Sequence, residues 1–453
     1  MARSTRTNPI AAFLTASEPG ASGGLPSVDR ILDAVRRHLG MNIAFASRYV
    51  NGQREFTHIQ ADIPVPAKPG DAEPQEDTAC YRILNGQLPE LMHDAMEFPL
   101  AAELPIVPAL PVGSHLNVPL RLSDGSVYGS FCCISQKPDR SLTDRDLETM
   151  RAFAALAADQ IERDAQEDEL RRDRVERITS LLERDSLAIA YQPIHRLDTG
   201  APVGVESLAR FADHDLRSPD NWFADAAAVG LGVELETLAV RQAIRGMSYI
   251  PDGLYVAVNV SPVTAMTDAF AEIVAAAPPG RLVVEVTEQA TVTDAEGLEA
   301  ALTRLRRHAS IAIDDVGAGY SGLRRILDLK PDILKLDMGL TRDINRDPAR
   351  AALAQAMVAF ADRIGCRIIA EGIETDAEWA ALAGIGVGYG QGWHFSRAMP
   401  AVVAQQFLLS ATYASVEVEP SNGAGRVDTL DTPASSRPAD EERHSHSARK
   451  SVA

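Results

Sequence analysis

Eight short apolar runs lie between residues 186 and 412, and stretches with the apolar spacing of a helix separate most of them. The runs are LAIAYQP, PVGVES, LYVAVNV, RLVVEV, SIAIDD, DILKLD, CRIIAE and GIGVGYGQG. Strand and helix alternating eight times over roughly 225 residues is typical of a closed (β/α)8 barrel. The sequence therefore predicts an α/β protein with a C-terminal TIM-like barrel over residues 186–413.

Each run has polar residues at or near its end, where a barrel of this kind carries its reacting groups. These residues are Gln192, Glu206, Asn259, Glu285, the pair Asp314 and Asp315, Lys335, Glu371 and Gln391. Any one of them alone is compatible with a polar turn, but together they predict one polar rim. The five carboxylates in this set would repel one another without cations, and oxygen ligands suit magnesium or manganese better than zinc.

The adjacent carboxylates Asp314 and Asp315 are unusual, because neighbouring residues on a strand point to opposite faces. They precede a loop in which Gly317 and Gly319 permit backbone conformations that are closed to other residues. A polar turn after a strand is one explanation of the pair. A pair of metal ligands is the other.

Eight motifs in this segment resemble, in the same order, those of the EAL domain family. They are YQPI, ESLARF, VNVSP, EVTE, DDVGAGYSGL, LKLD, AEGIET and QGWHFSRAMP. The family hydrolyses the bacterial second messenger cyclic di-GMP to the linear dinucleotide 5′-pGpG. The resemblance implies that activity here, with two Mg2+ or Mn2+ ions in each active site.

The resemblance also implies the ligands of the two ions. The residues that match ligands of one ion are Glu206, Asn259, Glu285 and Asp314. Asp314 matches a bridge to the second ion, which Asp315 would also bind. This arrangement accounts for two carboxylates in succession.

Other matched residues have catalytic roles in the family. Glu371 matches a metal ligand or general base, and Lys335 matches the lysine that holds the attacking water and helps to neutralise the phosphate. Gln391 matches a residue near the water and the second ion. Glu374 is expected to help hold the metal ligands in position without binding an ion itself.

The resemblance extends to substrate contacts and to the glycine-rich loop. Gln192, Leu208 and Arg210 match residues that contact the substrate, with Arg210 on a phosphate and Gln192 near a guanine. Glu288 matches the glutamate that holds the loop in place. The loop itself departs from the family pattern at Val316 and Gly322, and the effect of these changes on activity is open.

Two other functions remain as alternatives. The first is a catalytically silent receptor for cyclic di-GMP or a protein-interaction module, and the second is a metal phosphoesterase for another cyclic nucleotide. Silent relatives normally lose metal ligands, whereas this chain has the complete set. The enzyme is therefore the favoured hypothesis.

Residues 27–165 have a different pattern, in which helix and strand signals are mixed. PSVDRILDAVRRHLG predicts a helix, and GSHLNVPLRLSDGSVYGSFCCIS predicts a hairpin with its turn at Asp124 and Gly125. With DTACYRILNGQLPELMHDA, this hairpin resembles a GAF domain. The resemblance implies an α+β fold with an antiparallel sheet and a sensory or dimerising role, with an unidentified small ligand. Cys80 and His115 are candidate contacts to a haem or bilin, and positions in the core are the alternative.

The four cysteines form no CxxC pair, and Cys132 and Cys133 are adjacent in a predicted strand. This spacing predicts buried thiols in a reducing cytosol rather than a disulfide framework or a zinc site.

A long helical stretch over residues 141–184 separates the two predicted domains. Its apolar positions are Leu147, Met150, Phe153, Ala157 and Ile161, then Leu170, Val175, Ile178 and Leu182. One interpretation is a parallel coiled coil in a homodimer. The other is a last GAF helix followed by the first helix of the next domain.

The remaining segments and the charge complete the predicted organisation. We expect a disordered leader over 1–26, a GAF-like domain over 27–165, a helical linker over 166–185, the barrel over 186–413 and a disordered tail over 414–453. The net charge of −19 argues against unspecific binding to nucleic acid or anionic membrane. No apolar run approaches the roughly 20 residues that span a bilayer, so a cytoplasmic location is expected.

Overall fold

The computed structural model describes residues 27–105, 112–184, 186–211, 217–287, 294–316, 327 and 329–416. The predicted leader and the predicted tail beyond Val416 lie outside this part of the chain. Two compact units meet in sequence between Arg172 and Asp173. Among the helices in the described ranges, none is both long and apolar enough to cross a membrane.

The first unit combines short helices with six strands. The strands are β1 (Ile43–Val50), β2 (Gln53–Ala61), β3 (Ala72–Pro74), β4 (Leu91–Met92), β5 (His115–Arg121) and β6 (Val127–Ile134). The helices are α1 (Val28–Leu39), α2 (Ala79–Leu84), α3 (Pro99–Ala102) and the first part of α4 (Asp144–Arg184). The strands form one antiparallel sheet in the order β3-β2-β1-β6-β5-β4, which confirms the predicted α+β fold.

The sheet of the first unit has a core on each face, because successive side chains of a strand point to opposite sides. On β6, Phe131 and Cys133 pack against the face covered by α1 and α4. Cys132 and Ile134 point to the other face, where Cys80 of α2 is buried. The adjacent cysteines therefore belong to different cores.

Helix α4 is continuous over 41 residues, and its apolar positions are used within both units. Met150, Phe153 and Ala157 are buried in the core of the first unit. Ile178 and Leu181 are buried in the second unit. This packing favours a last GAF helix that continues into the first helix of the next domain, and the large apolar side chains left exposed between the two groups are Leu170 and Val175.

The second unit is a closed barrel of eight strands, which confirms the predicted TIM-like barrel. The strands are β7 (Leu187–Arg196), β8 (Pro202–Phe211), β9 (Tyr255–Val260), β10 (Leu282–Thr287), β11 (Ser310–Val316), β12 (Ile333–Leu336), β13 (Arg367–Ala370) and β14 (Tyr389–Gly390). Neighbours pair in chain order, and β14 pairs with β7 to close the barrel. A short strand, β15 (Met399–Pro400), pairs with Ala190 and Tyr191 of β7, on the edge of β7 that faces away from β8.

The first strand of the barrel departs from the predicted alternation. β7 runs antiparallel to both β8 and β14, whereas the strands from β8 to β14 are parallel to one another. Residues 197–201 alone join β7 to β8, and a parallel connection needs a dozen residues or more. Gln192 is therefore not at the end of a parallel strand, as predicted, but in the middle of an antiparallel one.

Helices surround the barrel on its outer side. They are α5 (Pro219–Ala228), α6 (Gly232–Gly246), α7 (Pro262–Ala265), α8 (Asp268–Ala276), α9 (Ala295–Leu305), α10 (Met338–Thr341), α11 (Pro348–Ile364), α12 (Asp376–Ile385) and α13 (Ala401–Val416). Their apolar faces and the outward residues of the strands, such as Val256, Val284 and Leu334, form the larger core. This core leaves the inward residues of the strands to line the barrel interior.

Candidate active site

The interior of the barrel has an apolar layer and, next to it, a polar layer. The apolar layer contains Ala257, Val283, Ala312 and Ile333. The next inward residue of each strand lies two positions further along, since side chains alternate between the faces of a strand. These next residues are Asn259, Glu285, Asp314 and Lys335. The strand period and the register thus place four predicted site residues in one layer.

Lys335 is the centre of this layer and is fully buried. Its Nζ lies 2.6 Å from Oε1 of Glu371 and 2.7 Å from Oε2 of Glu285. Asp314 Oδ1 is 3.2 Å away and Glu206 Oε1 is 3.4 Å away. Carboxylates from four strands or strand ends therefore converge on one ammonium group.

Glu206 is held from both sides by carboxamides. Asn259 Nδ2 donates to Oε1 of Glu206 over 2.8 Å, and Gln391 Nε2 donates to Oε2 over 2.6 Å. The same nitrogen of Gln391 is 3.4 Å from Oε1 of Glu371. These bonds fix the orientation of the Glu206 carboxylate.

Backbone bonds position the last two residues of the cluster. Gln391 follows β14, and its amide donates to the carbonyl of Ala370 over 2.9 Å. Glu371 follows β13, and its carbonyl accepts a hydrogen bond from the hydroxyl of Thr341. Both side chains are thereby placed at the carboxyl ends of their strands.

Burial and neighbouring charges shift the pKa values of the ionisable groups in this layer. Burial raises the pKa of Glu285 well above its ordinary value, and Lys335 only partly offsets this effect. Burial likewise raises the pKa of Glu371 to about 8. Burial acts in the same direction on Glu206, but Lys335 and the two carboxamides outweigh it and lower the pKa of that group. For Lys335, the carboxylates outweigh burial and raise its pKa.

The residues in this layer fit metal ions of the magnesium class. Oε1 of Glu285 and Oε1 of Gln391 are buried and make no hydrogen bond to the described part of the chain. Buried oxygens of this kind ordinarily have a partner. One ammonium group cannot neutralise four carboxylates, and a set of carboxylate and carboxamide oxygens is what Mg2+ and Mn2+ prefer.

The predicted substrate residues extend from this layer along β7 and β8. Glu206, Leu208 and Arg210 lie on one face of β8, and Gln192 of β7 is directly opposite Glu206. The guanidinium of Arg210 is exposed and donates to the carbonyl of Ala209 over 2.8 Å. The side chain of Gln192 donates to the carbonyl of Ser396 over 3.2 Å.

Five residues named in the sequence analysis are not part of the described cluster. Glu374 lies outside it and contacts Arg342 at 3.4 Å. Glu288, Gly322 and the side chains of Asp315 and Val316 lie outside the described residues. Their roles stay predictions.

Sequence reasoning missed Glu378, which shapes the segment after Glu371. Its Oε2 accepts hydrogen bonds from the backbone amides of Glu374 and Thr375, both over 3.0 Å. Its Oε1 accepts one from the backbone amide of Asp343 over 2.9 Å. Thr375 and Glu378 form a capping box at the start of α12. The Thr-x-x-Glu spacing was a readable signal in the sequence.

Comparison with known proteins adds to this geometry. The family model described as EAL domain matches residues 175–398, and the one described as GAF domain matches residues 26–161. The uncharacterised protein Mb1392c of Mycobacterium bovis is 31% identical over 240 residues, which cover 48% of this chain and 77% of that protein. The chain belongs to the EAL domain family. Its N-terminal unit is a GAF domain.

Two longer relatives of this EAL protein have functional names. One is MucR of Pseudomonas aeruginosa, a bifunctional diguanylate cyclase/cyclic di-GMP phosphodiesterase. It is 33% identical to this chain over 242 residues, which cover 51% of this chain and 35% of MucR. The cyclic di-GMP phosphodiesterase NbdA of the same organism is 32% identical over 248 residues, covering 51% of this chain and 31% of NbdA. The EAL protein thus spans about a third of the length of these two relatives.

Proposed function

We propose that this EAL protein is a metal-dependent phosphodiesterase that opens cyclic di-GMP to linear 5′-pGpG. Phosphodiesterase activity on cyclic di-GMP is the activity that the names of MucR and NbdA share. The observation that carries the proposal is the convergence of four carboxylates on Lys335 with a buried oxygen of Glu285 left without a hydrogen bond in the described chain. Such a site has the donors for cations and the charge to hold them.

The metal ligands follow from the polar layer and the family motifs. One ion would be held by Glu206, Asn259, Glu285 and Asp314, and a second by Asp314 with Asp315. When bound, the ions supply positive charge against the phosphate and lower the pKa of water. The excess negative charge around Lys335 is the physical reason for expecting them.

Glu371, Lys335 and Gln391 have separate roles in the proposed reaction. Glu371 accepts a proton from the attacking water, whose oxygen forms a bond to phosphorus. One P–O3′ bond breaks, and the leaving oxygen takes up a proton to give a free 3′-hydroxyl. Lys335, which is fully buried, places a fixed positive charge where negative charge develops. Gln391 holds Glu206 and approaches Glu371, which keeps both carboxylates in place.

Substrate recognition is assigned to the face of β8 that carries Glu206. Arg210 is four residues beyond Glu206, about 13 Å further along the strand at 3.3 Å per residue. Its exposed guanidinium is suited to a phosphate oxygen. Leu208 lies between Glu206 and Arg210 on this face, and Gln192 lies opposite Glu206 on β7. Both are assigned to the base and sugar of the bound nucleotide.

Regulation by the GAF domain and dimerisation are also part of the proposal. Helix α4 supplies buried residues to both units, so a change in the first unit has a continuous helix along which to reach the second. A parallel dimer would cover Leu170 and Val175, whose side chains are exposed between these packed regions. Light scattering of Leu170→Ser with Val175→Ser, compared with wild type, tests the dimer.

The function itself is tested with cyclic di-GMP, Mg2+ or Mn2+, and separation of the products. Wild type is expected to form 5′-pGpG, to lose activity in EDTA and to regain it when metal is restored. Glu206→Gln should abolish turnover, whereas Glu272→Gln, an exposed carboxylate on α8, should retain it. Wild type that binds cyclic di-GMP with metal and leaves it intact would replace the enzyme with a receptor.

A further inference from the structure

The GAF domain contains a second cluster of potential metal ligands, which consists of Cys80, His115 and Cys132. Their ligand atoms all lie within 4.8 Å of one another. The three residues are 2%, 2% and 0% exposed. They come from α2, β5 and β6, and Cys80 and Cys132 are 52 residues apart in sequence. For this reason, the spacing of the cysteines indicated no zinc site.

The sheet register explains why the cluster forms. His115 is paired with Ile134, and Asn117 is paired with Cys132 on the neighbouring strand. Alternation therefore turns the side chains of His115, Asn117 and Cys132 to the same face of the sheet. Helix α2 packs on this face and brings Cys80 within 2.9 Å of Cys132, measured between the two Sγ atoms.

Hydrogen bonds fix the cysteines but leave a nitrogen of the histidine without a partner. The thiol of Cys132 donates to Oδ1 of Asn117 over 2.7 Å. Asn117 Nδ2 donates to the carbonyl of Cys80 over 3.2 Å, which sets the direction of the amide. Nε2 of His115 is buried and makes no hydrogen bond within the described chain. A buried imidazole nitrogen without a partner is an available metal ligand.

The charges around the cluster suit a divalent ion. Nη1 of Arg54 lies 3.6 Å from Sγ of Cys80, and Arg54 also forms an ion pair with Glu73. A divalent ion with two thiolates is neutral, and the pair of Arg54 with Glu73 is neutral as well. The site therefore takes up the ion without burying net charge, which is otherwise costly.

We propose that Cys80, Cys132 and His115 bind a soft divalent ion of the zinc class through two thiolates and one imidazole nitrogen. Thiolate and imidazole ligands select zinc over magnesium or calcium. Binding releases the two thiol protons, so M2+ and two thiols give a neutral dithiolate and two H+. The two sulfurs are 2.9 Å apart, and moving them apart while the Cys132 thiol leaves Asn117 gives room for the ion.

The three protein ligands leave one coordination position open. Cys80 and His115 line a cavity of about 70 Å³ whose other walls are mostly apolar, among them Phe45, Phe56 and Met92. Structural zinc sites have four protein ligands, whereas sites with three keep the fourth position for water or another small ligand. A water molecule, or a small ligand with an anionic or nitrogen donor atom, would occupy this position from the cavity.

The test uses the full-length protein, reduced and freed of metal, then loaded with Zn2+ or Co2+ alone. X-ray absorption of the zinc form should show two sulfurs at about 2.3 Å and nitrogen at about 2.0–2.1 Å. The cobalt form should show thiolate-to-metal charge-transfer absorption. The barrel site offers oxygen donors, so the sulfur signals report the GAF cluster even when cobalt also occupies the barrel.

Matched variants assign the signal to residues. Cys80→Ser and Cys132→Ser should each abolish the charge-transfer absorption, and His115→Gln should reduce metal affinity at least tenfold. Cys133→Ser should retain the signal, because Cys133 points to the opposite face of the same strand. Circular dichroism identifies variants that do not fold, and the wild-type X-ray spectrum tests the site without any substitution.

Two results would overturn the proposal. One is a folded, fully reduced wild type whose zinc or cobalt has no sulfur ligand. The other is a sulfur signal that survives in folded Cys80→Ser and Cys132→Ser. A disulfide between Cys80 and Cys132 that forms in air, with no thiolate-bound metal after reduction, counts as the first result and assigns the pair to redox chemistry.

Discussion

The ammonium nitrogen of Lys335 lies 2.7 Å from Oε2 of Glu285, and both side chains are fully buried. The other carboxylate oxygen of Glu285 has no hydrogen bond in the described chain. One side of this carboxylate is thus neutralised by the protein, whereas the other is left for a cation. The first two predictions follow from this difference.

Lys335→Met should reduce turnover of cyclic di-GMP by roughly 100- to 1,000-fold, the usual effect of removing one preorganised electrostatic group. The substitution keeps the length of the side chain but removes the charge that offsets developing negative charge on the phosphate. Initial rates at saturating metal measure the loss of turnover. Arg363→Met, which removes an exposed cation from α11, is the control and should be unaffected. Equal rates for Lys335→Met and wild type would contradict the role of Lys335.

Glu285→Gln should lower the affinity for Mn2+ by more than roughly 100-fold. Loss of a residue that only hydrogen-bonds to a metal ligand typically lowers metal affinity by about 10- to 100-fold. The amide retains the volume but loses the charge and one of the oxygen donors. Titration with Mn2+, followed by the electron paramagnetic resonance of the free ion, measures the affinity. Glu272→Gln provides the comparison, and an unchanged affinity in Glu285→Gln would remove Glu285 from the ligands.

Glu378→Gln should destabilise the barrel by about 1–3 kcal/mol, because a carboxylate that accepts three backbone hydrogen bonds becomes an amide with one acceptor oxygen. Thermal or denaturant unfolding of the barrel transition measures the loss. Glu299→Gln on the exposed face of α9 is the matched control. If both variants unfold like wild type, the bonds of Glu378 contribute nothing measurable to stability.

The stability of the barrel should fall as the pH decreases from about 6.5 towards 5, in part because of His195. Its ring is stacked on Phe395 at 4.5 Å, and burial, with a smaller effect of His394, lowers its pKa from 6.5 to about 4. The unfolded chain therefore binds a proton in this range, whereas the folded chain does not. The free energy of unfolding decreases by up to about 1.4 kcal/mol per pH unit, and the effect is absent above about pH 7, where both states are neutral.

His195→Phe should remove this part of the pH dependence, because the ring is retained and the titration is lost. Unfolding of wild type and variant is compared at pH 7, 6 and 5. His308→Gln, in which an exposed histidine is replaced, should keep the wild-type slope. Parallel curves for wild type and His195→Phe would show that His195 does not titrate on unfolding.

A fragment of residues 173–453 should be more stable than one of residues 186–453. The longer fragment retains Ile178 and Leu181, which pack against Trp222 and Leu235. Loss of these buried side chains should lower Tm by at least about 5 °C, because the loss of each one lowers the free energy of unfolding by about 2–5 kcal/mol. Calorimetry of the two fragments makes the comparison. Equal Tm values would mean that the end of α4 is dispensable to the barrel.

The sequence by itself determined the eight strands of the barrel and which of their residues share a face. A strand period of two places Asn259, Glu285 and Lys335 on the inward face, next to an inward apolar residue two positions earlier. The alternation of strand and helix predicted the barrel, and the ordered motifs predicted the family. These are local properties, because they depend on neighbouring residues and on spacings of a few positions.

Tertiary structure alone decided which distant residues meet. Closure of the barrel by β14 against β7 brings Gln391 to Glu206, 185 positions earlier, and a short turn makes β7 antiparallel. Packing of α2 on the GAF sheet brings Cys80 to Cys132 and His115, a cluster that no spacing announces. Such contacts depend on how elements pack and on sheet register over the whole domain, and no local pattern in the chain encodes the distance between their partners.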